Sequence, residues 1–248
     1  MEGAVDTIRV TRGDDRVVVR LNRPEVRNAI DQRMVDELHE VCAELEAEPR
    51  ILIITGSDGI FASGADIAEL RERTSTDALA GINTRLFIRV SELPMPVIAA
   101  IDGAALGGGA ELAYAADFRI GTPGTRIGNP ETGLGIIAAA GALWRLPQLV
   151  GEPLAKELLL AGRILGAEEA LAARLLTRLV EPGELMDAAN ALADEIAAKS
   201  AAATIQTKLL MRRDRAQHPD ADLAAQAVLF DSDDKRARMT AFLDRKKT

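Results

Sequence analysis

VIAAIDGAALGGGAELAYAADFRIG, residues 97–121, decides how this chain folds. VIAAI (97–101) is an uncharged run of strand length, consistent with a strand buried on both faces. Asp102 and Gly103 break it. Gly107, Gly108 and Gly109 then open a short helix of Ala, Leu and Tyr, and DFRIG (117–121) reads as a second strand. Strand, helix and strand at this spacing imply parallel pairing through a right-handed crossover. A glycine inside a helix costs roughly 1 kcal/mol relative to alanine. A triplet is tolerable where backbone amides must face a ligand or where elements pack closely. Glu111 falls in the first turns of this helix. A carboxylate among small apolar residues is desolvated, which raises its pKa and suits a proton carrier. A tightly packed helix with Glu111 pairing the helix dipole fits the same residues.

Upstream, VVVRL (17–21) and ILIIT (51–55) read as strands, the second buried on both faces. Between them, Met34, Val35, Leu38, Val41, Cys42 and Leu45 recur at three- and four-residue steps, giving one helical face with Asp31 as its N-cap. Pro94 and Pro96 are expected to keep the segment before VIAAI out of helix. Downstream the pattern changes. Residues 154–160, 167–176, 184–199, 201–213 and 223–246 carry helical patterns, rich in alanine and punctuated by Gly162, Gly166, Pro182, Gly183 and Pro219. Leu192 and Ile196 keep helical phase through the Ala-rich stretch, which reads as a packed helix. The fold class is α/β, with a core over residues 1–190 and a helical C-terminal region over 191–248.

Composition narrows the function. Lys plus Arg is 30 against 38 Asp plus Glu, a net charge of −8, and aromatics make up 3%. Both argue against nucleic acid as a partner, since phosphate neutralisation and base stacking lack their usual residues. Local arginines and helix N-termini still suit an anionic small ligand. One cysteine, Cys42, allows no internal disulfide and suggests a reducing, cytoplasmic setting. No apolar run is long enough for membrane insertion. His39 sits in the helical 31–48 stretch and His218 in a polar C-terminal turn, so no metal site is expected.

Two other segments carry chemistry. In FASGADI (61–67), small residues at Ser63, Gly64 and Ala65 let a ligand approach the backbone. A free N–H there is a donor to a developing negative oxygen. On this segment alone, an ordinary strand-to-helix turn capped by Asp66 is the better explanation. In GNPETG (128–133), Glu131 lies in a Gly/Pro-rich loop, where carboxylates are usually solvated. Together, two glycine turns and two glutamates can run one reaction type. A thioester carbonyl between two N–H groups is stabilised as it becomes an enolate, and two carboxylates handle water and proton beside it.

LNRPEVRNAI (21–30), ITGSDGIFASGADIAEL (54–70), PVIAAIDGAALGGGAELAYAADFRI (96–120), IGNPETGLG (127–135), ELLLAGRILGAEEALAARLL (157–176) and FDSDDKRARMTAFLDRK (230–246) follow in order. Over almost its whole length the chain resembles the crotonase (enoyl-CoA hydratase/isomerase) superfamily. The resemblance implies a spiral ββα core with a C-terminal helical trimerisation region, assembled as a homotrimer or a dimer of trimers. It implies an acyl-CoA thioester substrate, with coenzyme A part of the substrate and no separate cofactor. By motif position, the N–H groups of Ala65 and Gly108 form the oxyanion hole. Ala65, Asp66, Ile67 and Ala68 line the thioester and pantetheine path, and Arg27 lies near the nucleotide.

Hydratases carry two glutamates, and Glu111 and Glu131 occupy both positions. The resemblance therefore implies water addition across C2–C3 of a 2-enoyl thioester, with Glu131 delivering the proton to C2. The alternatives are a Δ3-Δ2-enoyl-CoA isomerase, or an acyl-CoA-binding member of the fold without turnover. The chain departs from the pattern at Ala138-Ala139-Ala140-Gly141-Ala142, where Ala139 replaces a glycine near the bound water. Trp144 replaces a polar residue and is expected to fill core space. Arg174 replaces a glycine, and Ala237-Arg238 replaces a Glu-Gly pair.

Overall fold

The apolar runs make the centre of a sheet, and the structure, a computed structural model describing residues 6–245, adds edges the sequence hides. β1 (Ile8–Arg12) and β2 (Arg16–Leu21) pair antiparallel. α1 (Gln32–Ala47) crosses to β3 (Ile51–Thr55), and α2 (Ile67–Glu72), α3 (Ser75–Ala80) and α4 (Ile82–Glu92) precede β4 (Val97–Ile101). β5 (Ala104–Leu106), α5 (Gly108–Ala115), β6 (Phe118–Gly121) and β7 (Arg126–Gly128) follow. Then come α6 (Ala142–Val150), α7 (Glu152–Leu160), β8 (Ile164–Gly166), α8 (Ala167–Ala172), β9 (Arg178–Leu179) and α9 (Leu185–Ala197). The main sheet has the order β1-β2-β3-β4-β6-β9, parallel from β2 to β9. A second sheet, β5-β7-β8, is built from three-residue strands.

Every residue of β3 and β4 is buried, as both-face coverage requires. In α1 the buried set is Met34, Val35, Leu38, Val41, Cys42 and Leu45, and the Asp31 carboxylate accepts from Met34 N at 2.8 Å. Two expectations need correction. α4 runs to Glu92, so Pro94 and Pro96 end a helix rather than prevent one. The 167–176 pattern is helical only to Ala172, because Arg174 turns left-handed at φ 60° and sends the chain toward β9.

The chain divides into two units, Met1–Leu192 and Ala193–Thr248, with the boundary inside α9. The second unit contains α10 (Ala201–Leu210), α11 (Asp220–Phe230) and α12 (Asp233–Arg245). The pattern read across 223–246 is therefore two helices. Ser232 separates them, its hydroxyl accepting from Lys235 N at 3.2 Å. Lys246, the end of that pattern, lies outside the described residues. Leu223, Val228, Met239, Phe242 and Leu243 are large apolar side chains that stay exposed in this unit.

Candidate active site

Backbone pairing brings the two glycine turns together. Ala62 N donates to Ala104 O, and Leu106 N to Ala62 O, both at 3.0 Å. Ile30 N donates to Gly64 O at 2.8 Å, and Asp66 N to Ile30 O at 3.0 Å. The turn 63–65 is thus clamped at both ends, one against β5 and one against the start of α1. Gly109 permits this approach: a methyl group there would stand 2.3 Å from Ala62 O. Gly107 adopts φ 52°, ψ −125°, a conformation costly for any other residue, and turns the chain into α5.

Between these turns the amides of Ala65 and Gly108 are uncommitted. Neither donates to an acceptor among the described residues. A methyl group on Gly108 would lie 3.3 Å from Ala65 N, and one on Gly64 would lie 3.8 Å from Gly108 N. The two N–H groups therefore border one small space at the positive end of α5.

Two carboxylates lie beside it. Glu111, in the first turn of α5, is 3% exposed. Its Oε1 accepts from Ala140 N at 2.8 Å and Ala142 N at 3.1 Å. Burial pushes its pKa up to about 7; the Ala142 and Ala140 amides oppose the rise and the charge of Glu131 adds to it. Pairing of β5 with β7 and the bond from Gly107 N to Gly128 O (2.9 Å) carry the following loop to the same place. There Glu131 is 8% exposed, contrary to the solvated carboxylate that its loop setting suggests. Its Oε1 would be 3.2 Å from a methyl group on Gly107. Asn129 Nδ2 donates to Glu131 Oε1 at 3.3 Å, while Oε2 is buried with no partner among the described residues. Burial raises the Glu131 pKa, against its own amide and Asn129.

Asp66 caps α2, accepting from Ala68 N (3.0 Å), and meets Arg23 at 3.2 Å. Burial pulls its pKa up, but the Glu69 amide, Arg23 and the Ala68 amide hold the carboxyl below the usual range. Its side chain is committed to the turn, and its N–H to Ile30 O. Ile67 and Ala68 are exposed, and so is Arg27, whose carbonyl accepts from Ser63 N at 3.1 Å. Sequence reading missed Asn28. This fully buried residue donates to Ile60 O (2.7 Å) and accepts from Arg23 N (3.0 Å), bracing the same turn. It missed Asn129 as well. Among the described residues, no group of three or more His, Cys, Asp or Glu is placed to hold a metal.

The enoyl-CoA hydratase/isomerase family model matches residues 14–248. The chain belongs to the enoyl-CoA hydratase/isomerase family. It is 36% identical to a short-chain-enoyl-CoA hydratase of Clostridium acetobutylicum, covering 93% of this chain and 92% of that one. It is 34% identical to a crotonyl-CoA hydratase of Syntrophomonas wolfei, covering 98% and 97%. The enoyl-CoA hydratase structure from Bacillus anthracis superposes with TM-score 0.91 at 31% identity, over 96% of each chain. The crotonase-like fold read from the sequence is thereby shown.

The Ala138–Ala142 run, expected from the sequence to depart from the family pattern, leaves the backbone around Glu111 in place. Ala139 has no positive φ, so its methyl introduces no backbone strain, and Gly141 keeps the strained position at φ 135°. The run still presents two amides to Glu111. Trp144 is 41% exposed and does not fill the core. It lies on the outer side of α6 near the Arg145 guanidinium, 5.8 Å from the ring centroid.

Proposed function

We propose that this chain is an enoyl-CoA hydratase. The observation that carries the reading is the pairing of two uncommitted amides, Ala65 and Gly108, with two buried carboxylates whose pKa values are raised. The relatives named as short-chain-enoyl-CoA and crotonyl-CoA hydratases support a short 2-enoyl thioester as substrate.

The thioester oxygen sits between the Ala65 and Gly108 N–H groups, which stabilise the negative charge that grows there. Glu111, fixed by Ala140 and Ala142, holds the water with its second oxygen and accepts its proton as the hydroxyl bonds to C3. The C2–C3 π electrons move onto the thioester as an enolate. Glu131 delivers its proton to C2 and re-forms the thioester carbonyl. The pair holds one proton before and after, so a transfer between them resets the site. Their titration belongs to the pair. Pantetheine runs past Ala65–Ala68, and the exposed Arg27 takes the nucleotide phosphates.

The exposed apolar residues of α11 and α12 support a trimerising role for the C-terminal unit, as a homotrimer or dimer of trimers. Light scattering should give three or six times the 26.5 kDa chain mass. The single buried Cys42 supports a cytoplasmic setting, and among the described residues no helix is long and apolar enough to cross a membrane.

A turnover assay over 2-enoyl-CoA thioesters of rising chain length, with a 3-enoyl-CoA arm, tests the activity. Loss of enoyl absorbance with crotonyl-CoA is the expected result. Double-bond migration from the 3-enoyl arm with no hydration would replace the hydratase by an isomerase. Tight acyl-CoA binding with neither reaction would leave a binding protein.

A further inference from the structure

A third nitrogen borders the oxyanion space. A methyl group on Gly108 would sit 3.3 Å from Ala65 N and 3.5 Å from Asn83 Nδ2. Covalent geometry puts the same point about 2.5 Å from the Gly108 nitrogen. Gly108 puts no side chain at this point, so none stands between Ala65 N and Asn83 Nδ2. Asn83 reaches it from α4, a different element from either turn.

The side chain of Asn83 is not otherwise employed. Its Oδ1 is buried without a hydrogen-bond partner, and its Nδ2 donates to nothing among the described residues. A buried amide oxygen without a partner is disfavoured, and native structures rarely keep one without a reason. Its neighbour Thr84 is engaged, donating to Ala139 O at 3.2 Å. In the next turn Leu86 and Phe87 are fully buried in the core. α4 is therefore anchored, and Asn83 is held against the site by the packing of its own helix.

We propose that Asn83 is a third donor of the oxyanion hole, its Nδ2 hydrogen-bonding the thioester oxygen alongside the amides of Ala65 and Gly108. The inference rests on the acyl-CoA reading of the site and deepens it. A neutral side-chain donor adds to two backbone donors, so its effect is smaller than that of removing a charged group. It should grow as the oxygen becomes an enolate.

The test uses the full-length protein with Asn83→Ala, Asn83→Asp and Asn83→Leu. With crotonyl-CoA, Asn83→Ala should lower kcat about 10- to 100-fold with little change in KM. Asn83→Asp, nearly the same shape but facing the oxyanion with negative charge, should lose more. Asn83→Leu, which keeps bulk, should behave like alanine. A second readout needs no turnover: the carbonyl stretch of bound, 13C-labelled butyryl-CoA by difference Raman. The wild-type protein should lower that frequency, and Asn83→Ala should move it back toward free thioester. Wild-type hydration together with an unchanged kcat and stretch in Asn83→Ala overturns the third donor and leaves the hydratase standing. A polarised carbonyl that relaxes in Asn83→Ala, in a protein that hydrates nothing, sinks the hydratase and keeps the donor. A wild-type carbonyl at the free frequency overturns the donor as well.

Discussion

The segment Gly107–Glu111 and the segment Glu131–Trp144 each contribute to the carboxylate pair, but they hold it differently. The first is buried throughout: Gly109 is pressed against Ala62, and Glu111 is fixed by two amides. The second is exposed from Thr132 to Ile137, and its carboxylate is tethered through its own amide and Asn129, with Oε2 unpartnered among the described residues. Preorganisation therefore sits with Glu111, which suits holding water. Freedom sits with Glu131, which suits carrying a proton to C2 and back. Hydration needs both kinds of surrounding, one rigid and one adaptable.

The largest effect should come from the carboxylates themselves. Glu111→Gln and Glu131→Gln should each lower kcat roughly 100- to 10,000-fold, and the double variant little further, because the pair acts as a unit. Initial-rate kinetics on crotonyl-CoA would show it; additive losses would break the shared role. Next is Gly109→Ala, which puts a methyl 2.3 Å from a carbonyl oxygen. A stability loss of about 1–3 kcal/mol by urea titration, with lower activity, is expected. A neutral result would mean that the two turns are not pressed together.

The anchored carboxylate also carries a pH signature. Glu111 moves from 4.5 to about 7, so the folded state holds its proton more tightly than the unfolded state. Folding stability should then fall as pH rises from about 4.5 to about 7 and flatten above. Glu111→Gln should flatten that slope to the part that Glu131 keeps and gain about 1–3 kcal/mol at pH 8. A wild-type slope retained in the variant would place the titration elsewhere. For the tethered carboxylate, Asn129→Ala removes a bond that lowers the Glu131 pKa. The pH–rate profile should shift upward, with kcat down about 10-fold. The smallest effect concerns neither segment. Arg174→Gly, at φ 60°, should stabilise by about 1 kcal/mol with unchanged kcat, measured by thermal melting.

Much of this was legible because buried apolar runs announce themselves. ILIIT and VIAAI have no other stable use, and the face of α1 follows its spacing residue by residue. β1 was hidden because IRVTR is mostly exposed and has no apolar run to mark it. The sheet β5-β7-β8 was hidden because its three-residue strands are too short for any period. Within the site, the glutamates stood out through the motifs around them. Asn28, Asn83 and Asn129 did not, since a lone asparagine in a turn or helix start has no spacing that separates a clamp from a solvated side chain. The burial of Glu131 was equally invisible, for it depends on β5 and β7 pairing across some twenty residues of chain.

Crotonyl-CoA turned over in D2O, with the product examined by NMR, tests the central claim most directly. Water addition through the enolate predicts a 3-hydroxy thioester with one deuteron at C2 in the wild-type protein, and almost no product with Glu111→Gln or Glu131→Gln. Deuterated 3-hydroxy product formed at wild-type rates in both variants would contradict it.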